Sequence, residues 1–215
     1  MNGAFANRRS AGRALAEAVA KLDVPDPLVL ALPRGGVPVA YEVALRLKAP
    51  LDILLVRKIG APGHEEYGIG ALVDGANPQI VIDEKVARLV GATPDYIERE
   101  VARQLQELER RRAAYRSDPP ISPTGRNVIL VDDGIATGGT VRVALQALRK
   151  SDAAQVVLAV PVAPGSALRE LESMCDGIVC LHTPEPFYAV GAHYQDFGQT
   201  SDAEVVELLA AASGA

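Results

Sequence analysis

Residues 128–140 read Val-Ile-Leu-Val-Asp-Asp-Gly-Ile-Ala-Thr-Gly-Gly-Thr, and no other stretch constrains the fold as strongly. The run Val128-Ile129-Leu130-Val131 has no polar alternate face, so as a strand it must be covered on both sides, which a parallel sheet flanked by helices provides. Asp132 and Asp133 stand where that strand leaves the sheet. A loop of mostly small residues follows (Gly134, Ile135, Ala136, Thr137, Gly138, Gly139, Thr140), and Val141 to Lys150 reads as a helix. Ligands of open parallel sheets bind outside the carboxyl ends of the strands, and unpaired N–H groups at a helix N-terminus bind phosphate there. The run therefore pairs an anion cradle with two carboxylates, which suits a ligand carrying phosphate together with hydroxyls or Mg²⁺. An ordinary strand-to-helix turn capped by an aspartate would need one carboxylate rather than two.

The rest of the chain fits the same architecture. Strands are expected at Leu28–Leu32, Asp52–Val56, Gln155–Val160 and Gly177–Leu181, with Ala71–Asp74 and Gln79–Asp83 as a hairpin or two short strands around Gly75–Pro78. Helices are expected at Ser10–Leu22 with Ser10 as N-cap, Val37–Leu47 and Glu204–Ala212. Pro94–Arg116 reads as a long amphipathic helix with an apolar stripe of Ile97, Val101, Leu105 and Leu108, its charged remainder a solvated face. A Pro-rich loop, Ser117–Arg126, then returns the chain to the sheet. Strands alternating with helices give an α/β fold: a three-layer, mainly parallel sheet with an inserted long helix. A single domain over 1–215 is expected, with a core of about 28–160 and a helical insertion of about 84–117.

Composition excludes several classes. A net charge of −5 over 215 residues disfavours nucleic-acid binding, because phosphate contacts need clustered cations. No apolar run reaches membrane-span length, and no signal-peptide core is visible. Cys175 and Cys180 suggest neither a zinc site nor a disulfide framework, so a cytoplasmic setting is expected.

Three further segments carry chemistry. Pro33-Arg34-Gly35-Gly36 lies between the first strand and its helix, where glycine backbone and a guanidinium can grip a diphosphate. Arg57 and Lys58 follow the next expected strand as counter-charges for the same anion. Ile59 to Gly68 has the glycine content of a mobile lid. Within it, His64 is more simply a solvated loop residue than a base.

The order strand, Asp-Asp, Ala-Thr-Gly-Gly-Thr resembles the phosphoribosyl-pyrophosphate motif of the type I phosphoribosyltransferases. The resemblance implies that Asp132 and Asp133 hold the ribose 2- and 3-hydroxyls and, directly or through water, Mg²⁺, while Ala136 to Thr140 wrap the 5-phosphate and Gly134 and Ile135 belong to the same substrate-binding loop. It implies a catalytic part for Asp132, Asp133, Arg57 and Lys58, and a substrate-binding part for Arg34, Gly35 and Gly36, whose loop in this family often contains a cis peptide. Arg57 to Gly68 looks like a shortened flexible loop of the adenine branch. A C-terminal hood, about 175–200, would recognise a nucleobase, with Phe187 or Tyr188 stacking on it. Ala136 departs from the hypoxanthine–guanine branch, which has an acidic residue there, and alanine can do no acid–base chemistry. The residues before 28 show no base-binding region of the adenine kind. The activity implied is transfer of phosphoribose to a nitrogenous base with Mg²⁺ as cofactor, homodimerisation being an open assembly. A non-catalytic sensor of phosphoribosyl pyrophosphate or a nucleotide is the alternative, since fold alone does not specify catalysis. A P-loop phosphotransferase would need Lys after Gly138-Gly139, where Thr140 stands.

Overall fold

A computed structural model describes residues 4–76, 78–115 and 118–213. Asn77 of the expected turn, and Arg116 and Ser117 between the long helix and the Pro-rich loop, lie outside the described residues. Five parallel strands form the main sheet: β1 (Pro27–Ala31), β2 (Leu51–Ile53), β6 (Asn127–Val131), β7 (Gln155–Val162) and β8 (Gly177–His182), in the order β2-β1-β6-β7-β8. Alternate residues of β1 and β6 face opposite layers. Val29, Ala31, Ile129 and Val131 pack with α1 (Arg8–Ala20), α2 (Gly36–Leu47) and α7 (Asp202–Ser213). Leu28, Leu30, Val128 and Leu130 pack with α5 (Gly139–Lys150) and α6 (Gly165–Leu171). The three-layer α/β arrangement read from the apolar runs is the one observed.

A second sheet is antiparallel, β3 (Val56–Ala61), β4 (His64–Val73) and β5 (Gln79–Ile82). It corrects two expectations. The second parallel strand stops at Ile53, and from Val56 the chain pairs with Val73 instead. Most of the supposed lid, Ile59–Gly68, lies in the β3–β4 ribbon, with register shifts around Gly60. Glycine-rich sequence signals both mobile loops and bulged ribbons, and partner strands decide between them.

Two helices cover this second sheet. Helix α3 (Glu84–Leu89), at the start of the expected helical insertion, begins where the Asp83 side chain accepts from the backbone N–H groups of Lys85 and Val86. Helix α4 (Pro94–Tyr115) inserts Val101 beside Ile59 and Ile69, and Leu108 and Tyr115 into the main core. It thereby spans both sheets. The expected stripe is right, but Gln104, assigned to the charged face, is buried too. Helix α1 begins earlier than expected. Asn7 is the N-cap and Ser10 sits third, each side chain accepting the other's backbone N–H at 2.9 and 3.0 Å, a reciprocal capping box.

Candidate functional site

The register of the parallel sheet builds the site. Ala31 of β1 is level with Val131 of β6, and Leu32 N–H donates to Val131 O at 2.9 Å. Pro33–Gly36 and Asp132–Asp133 therefore leave the sheet side by side. The Pro33–Arg34 peptide is cis, as the resemblance implied. Gly35 lies so close to Asp133 that a Cβ there would stand 2.1 Å from Oδ2, which only glycine avoids.

Both carboxyl groups are perturbed. Burial and then the neighbouring Asp133 push the Asp132 carboxyl well up from its ordinary range. Burial also raises Asp133, against a pull downward from Arg8. The Arg8 Nε–H donates to Asp133 Oδ2 at 2.7 Å, and both side chains are largely enclosed. The Tyr194 hydroxyl donates to the Asp133 carbonyl at 2.5 Å. Asp132 Oδ1 accepts from the Asp133 N–H at 2.9 Å.

Beyond the carboxylates the loop divides into an anchor and an open face. Ile135 is buried and its N–H donates to Val162 O at 2.9 Å. Ala136, Thr137, Gly139 and Thr140 are exposed. Gly138, at φ +75°, caps α5 without a side chain, a conformation favouring glycine. The helix thus begins with backbone donors facing an open space, which suits an anion.

Two clefts flank this loop and share Val56 and Thr140. One, of about 900 Å³, runs between the α5 N-terminus and the antiparallel sheet and is lined by Thr137, Gly139, Lys58, Lys85 and Arg142. The other, of about 360 Å³, is lined by Pro33, Arg34, Tyr115, Arg110 and Arg111. Arg57 and Lys58 do not act as the adjacent pair expected at a strand end. They are successive residues within β3 and so face opposite sides. Lys58 lines the larger cleft, whereas Arg57 Nε–H donates to Gln104 Oε1 of α4 at 2.9 Å. Burial, then Arg111, pushes the Arg57 guanidinium down.

The segment 187–197 folds against the N-terminal residues. Phe5 pairs with Tyr194, and Phe5 N–H donates to His193 O at 3.0 Å. Phe187 stacks on His193 with centroids 5.7 Å apart and is half-buried, packed with the cluster of Phe5 and Tyr194. Tyr188 is 80% exposed. The two expected stacking residues therefore differ, Phe187 being committed to packing and Tyr188 open. The His193 Nε2 is buried without a hydrogen-bond partner among the described residues.

Residues that sequence reasoning passes over are Arg8, Tyr194, Arg110 and Arg111. The Arg110–Arg112 run is visible in the sequence but reads as part of a solvated face. Nothing local marks Arg8, which lies 125 positions from its carboxylate partner.

Comparison with known proteins bears on the family and the fold. The phosphoribosyl transferase domain model matches residues 5–195. Proteins from two Mycobacterium tuberculosis strains, provisionally named phosphoribosyl transferases, are 46% identical over 209 residues, 95% of this chain and 46% of theirs. The chain thus spans about half the length of these curated relatives. The crystal structure of TT1426 from Thermus thermophilus superposes with a TM-score of 0.83 at 45% identity, covering 97% of this chain and 98% of that one. The AQ2163 protein of Aquifex aeolicus shares the fold at 12% identity and a TM-score of 0.50, over 94% of this chain and 84% of that one. Among the described residues no helix is long and apolar enough to cross a membrane. With a family model spanning most of its length and relatives 46% identical over 95% of it, the chain belongs to the phosphoribosyl transferase family.

Proposed function

We propose that the protein transfers 5-phosphoribose from phosphoribosyl pyrophosphate to a nitrogenous base, releasing pyrophosphate. The observation that carries this reading is the level emergence of Pro33–Gly36 and Asp132–Asp133 between two cation-lined clefts. The 5-phosphate would take the Thr137–Thr140 backbone donors with Lys58 opposite. The diphosphate would lie along Arg34 toward Arg110 and Arg111. Asp132 and Asp133 would accept the vicinal hydroxyls of the ribose between them.

In the reaction the acceptor nitrogen bonds to the anomeric carbon as the bond to diphosphate oxygen breaks. Positive charge develops on the sugar ring and negative charge on the leaving group. The carboxylates face the first and the arginines the second, so orientation and electrostatics supply the catalysis. Ala136 offers no base, so the acceptor must shed its proton without help from that position. Tyr188 is the exposed ring available to stack on it.

Mg²⁺ suits this site only in company with the substrate. Among the described residues no three acidic, histidine or cysteine side chains cluster as a cage. Mg²⁺ commonly takes one or two carboxylates and completes its shell with water and phosphate oxygens. Asp132 and Asp133 would be those carboxylates, and the ion would supply charge to neutralise the departing diphosphate.

The test is incubation with phosphoribosyl pyrophosphate, Mg²⁺ and a panel of bases, with nucleotide read by mass spectrometry. Asp133→Asn should weaken sugar-diphosphate binding sharply by calorimetry, and unchanged affinity would remove the site assignment. Tight binding with silence across the panel would identify a sensor of the same ligand in place of a transferase.

A further inference from the structure

Arg8 is the first residue of α1, yet it reaches across to the opposite end of the sequence. Its guanidinium is largely enclosed and serves three neighbours at once. Nε–H donates to Asp133 Oδ2 at 2.7 Å and an Nη1–H donates to Gly198 O at 2.6 Å. Its flat face lies 3.9 Å from the centre of the Phe197 ring. Arginine alone has a planar fork that can join two acceptors while stacking on a ring.

The fork's origin is fixed as firmly as its ends. The capping box of Asn7 and Ser10 sets the start of α1. Backbone bonds join Phe5 and Ala6 to His193, Gln195 and Asp196 at 2.8 to 3.0 Å. Arg8 thus leaves a segment already fastened to the 190–198 region and delivers its Nε–H to one oxygen of Asp133. A free aspartate turns about two torsions. This one is held on one side by Arg8 and backed by Gly35, whose missing Cβ leaves the room it occupies. Arg8 thus engages Oδ2 and makes no hydrogen bond to Oδ1.

We propose that Arg8 is a positioning residue for the sugar: by engaging Oδ2 it aims Asp133 Oδ1 at the ribose hydroxyls and ties that carboxylate to the 190–198 region. The inference rests on the proposed sugar-phosphate site. It assigns Arg8 no contact with the substrate. Its effect should therefore appear in recognition of hydroxyls and not of phosphate.

The experiment compares ribose 5-phosphate with its 2,3-dideoxy analogue, each with Mg²⁺, titrated into wild type, Arg8→Gln and Arg8→Lys and followed by calorimetry or NMR. Wild type should prefer the diol. In Arg8→Gln that preference should fall about tenfold or more, the scale of one charge-assisted hydrogen bond, while the dideoxy analogue binds as before. Retained analogue binding also shows that the variant is folded. Arg8→Lys keeps the charge without the fork and should recover only part of the preference. An undiminished preference in Arg8→Gln, an equal loss for both ligands, or full recovery in Arg8→Lys overturns the positioning role alone. A wild type indifferent to the diol overturns the sugar site and this inference with it.

Discussion

Replacing Arg112 with methionine should make the protein unfold far more readily while leaving intact the residues that line the two clefts beside the 136–140 loop. Arg112 reaches from α4 under the junction of the two sheets. Its Nε–H donates to Asp74 at 2.5 Å, Nη1–H to Asp52 at 3.4 Å and Nη2–H to Ile53 O at 3.0 Å. The side chains of Arg112, Asp52 and Asp74 are 12%, 1% and 7% exposed. Asp52 also accepts from Ile53 and Ile121 N–H, and Asp74 from Leu55 N–H. Methionine would fill much of the volume but leave two enclosed carboxylates without the cation they share. Breaking such a buried group costs about 3–5 kcal/mol, and for a chain of this size about 2–4 °C of Tm per kcal/mol. A Tm lower by roughly 6–20 °C is expected at pH 7.5 by circular dichroism.

The pH dependence gives an internal control. Burial already raises the Asp74 carboxyl in the native protein, and Arg112 opposes that rise. Without Arg112 the native state holds its proton more tightly still. Between the unfolded and folded values the native state then binds more protons, so stability falls as pH rises. The deficit of Arg112→Met should accordingly shrink on going from pH 7.5 to 5. Adding Asp74→Asn should recover part of it at neutral pH. A variant within about 1 kcal/mol of wild type at pH 7.5, or a deficit that grows on acidification, would refute the reasoning.

Other consequences concern the site itself. Asp132→Asn should raise Tm at pH 7.5 while abolishing sugar-phosphate binding, because it removes a carboxylate that burial and Asp133 disfavour; the gain should vanish toward pH 4, and a destabilised variant at neutral pH would contradict it. Tyr194→Phe removes the donor to the Asp133 carbonyl and should cost about 1 kcal/mol, or about 2–4 °C in a thermal melt. Replacing Arg110 and Arg111 together by Gln should weaken pyrophosphate binding and flatten its salt dependence, with fold retained; an unchanged titration would remove α4 from the diphosphate path.

Legibility followed the range of the physics involved. Apolar runs such as Val128–Val131 specify a strand covered on both faces whatever lies far along the chain, and the layered α/β fold was readable from them. The Asp-Asp and glycine loops were likewise readable, since their chemistry is contained within a few adjacent residues. The antiparallel ribbon was not, because glycine content at 59–68 is compatible with a loop until β4 is seen to pair with β3.

By itself the sequence determined which groups the site could use: two carboxylates, a small-residue loop leading into a helix and a supply of cations. Tertiary structure alone decided which of those cations arrive. Strand alternation sends Lys58 to the cleft at the α5 N-terminus and Arg57 to Gln104. The crossing of α4 brings Arg110 and Arg111 beside Arg34. Packing of the N-terminal segment against residues 193–198 delivers Arg8 to Asp133 across 125 positions. A side chain's type is local information, whereas its neighbours are set by register, strand face and packing, which no short stretch of chain encodes.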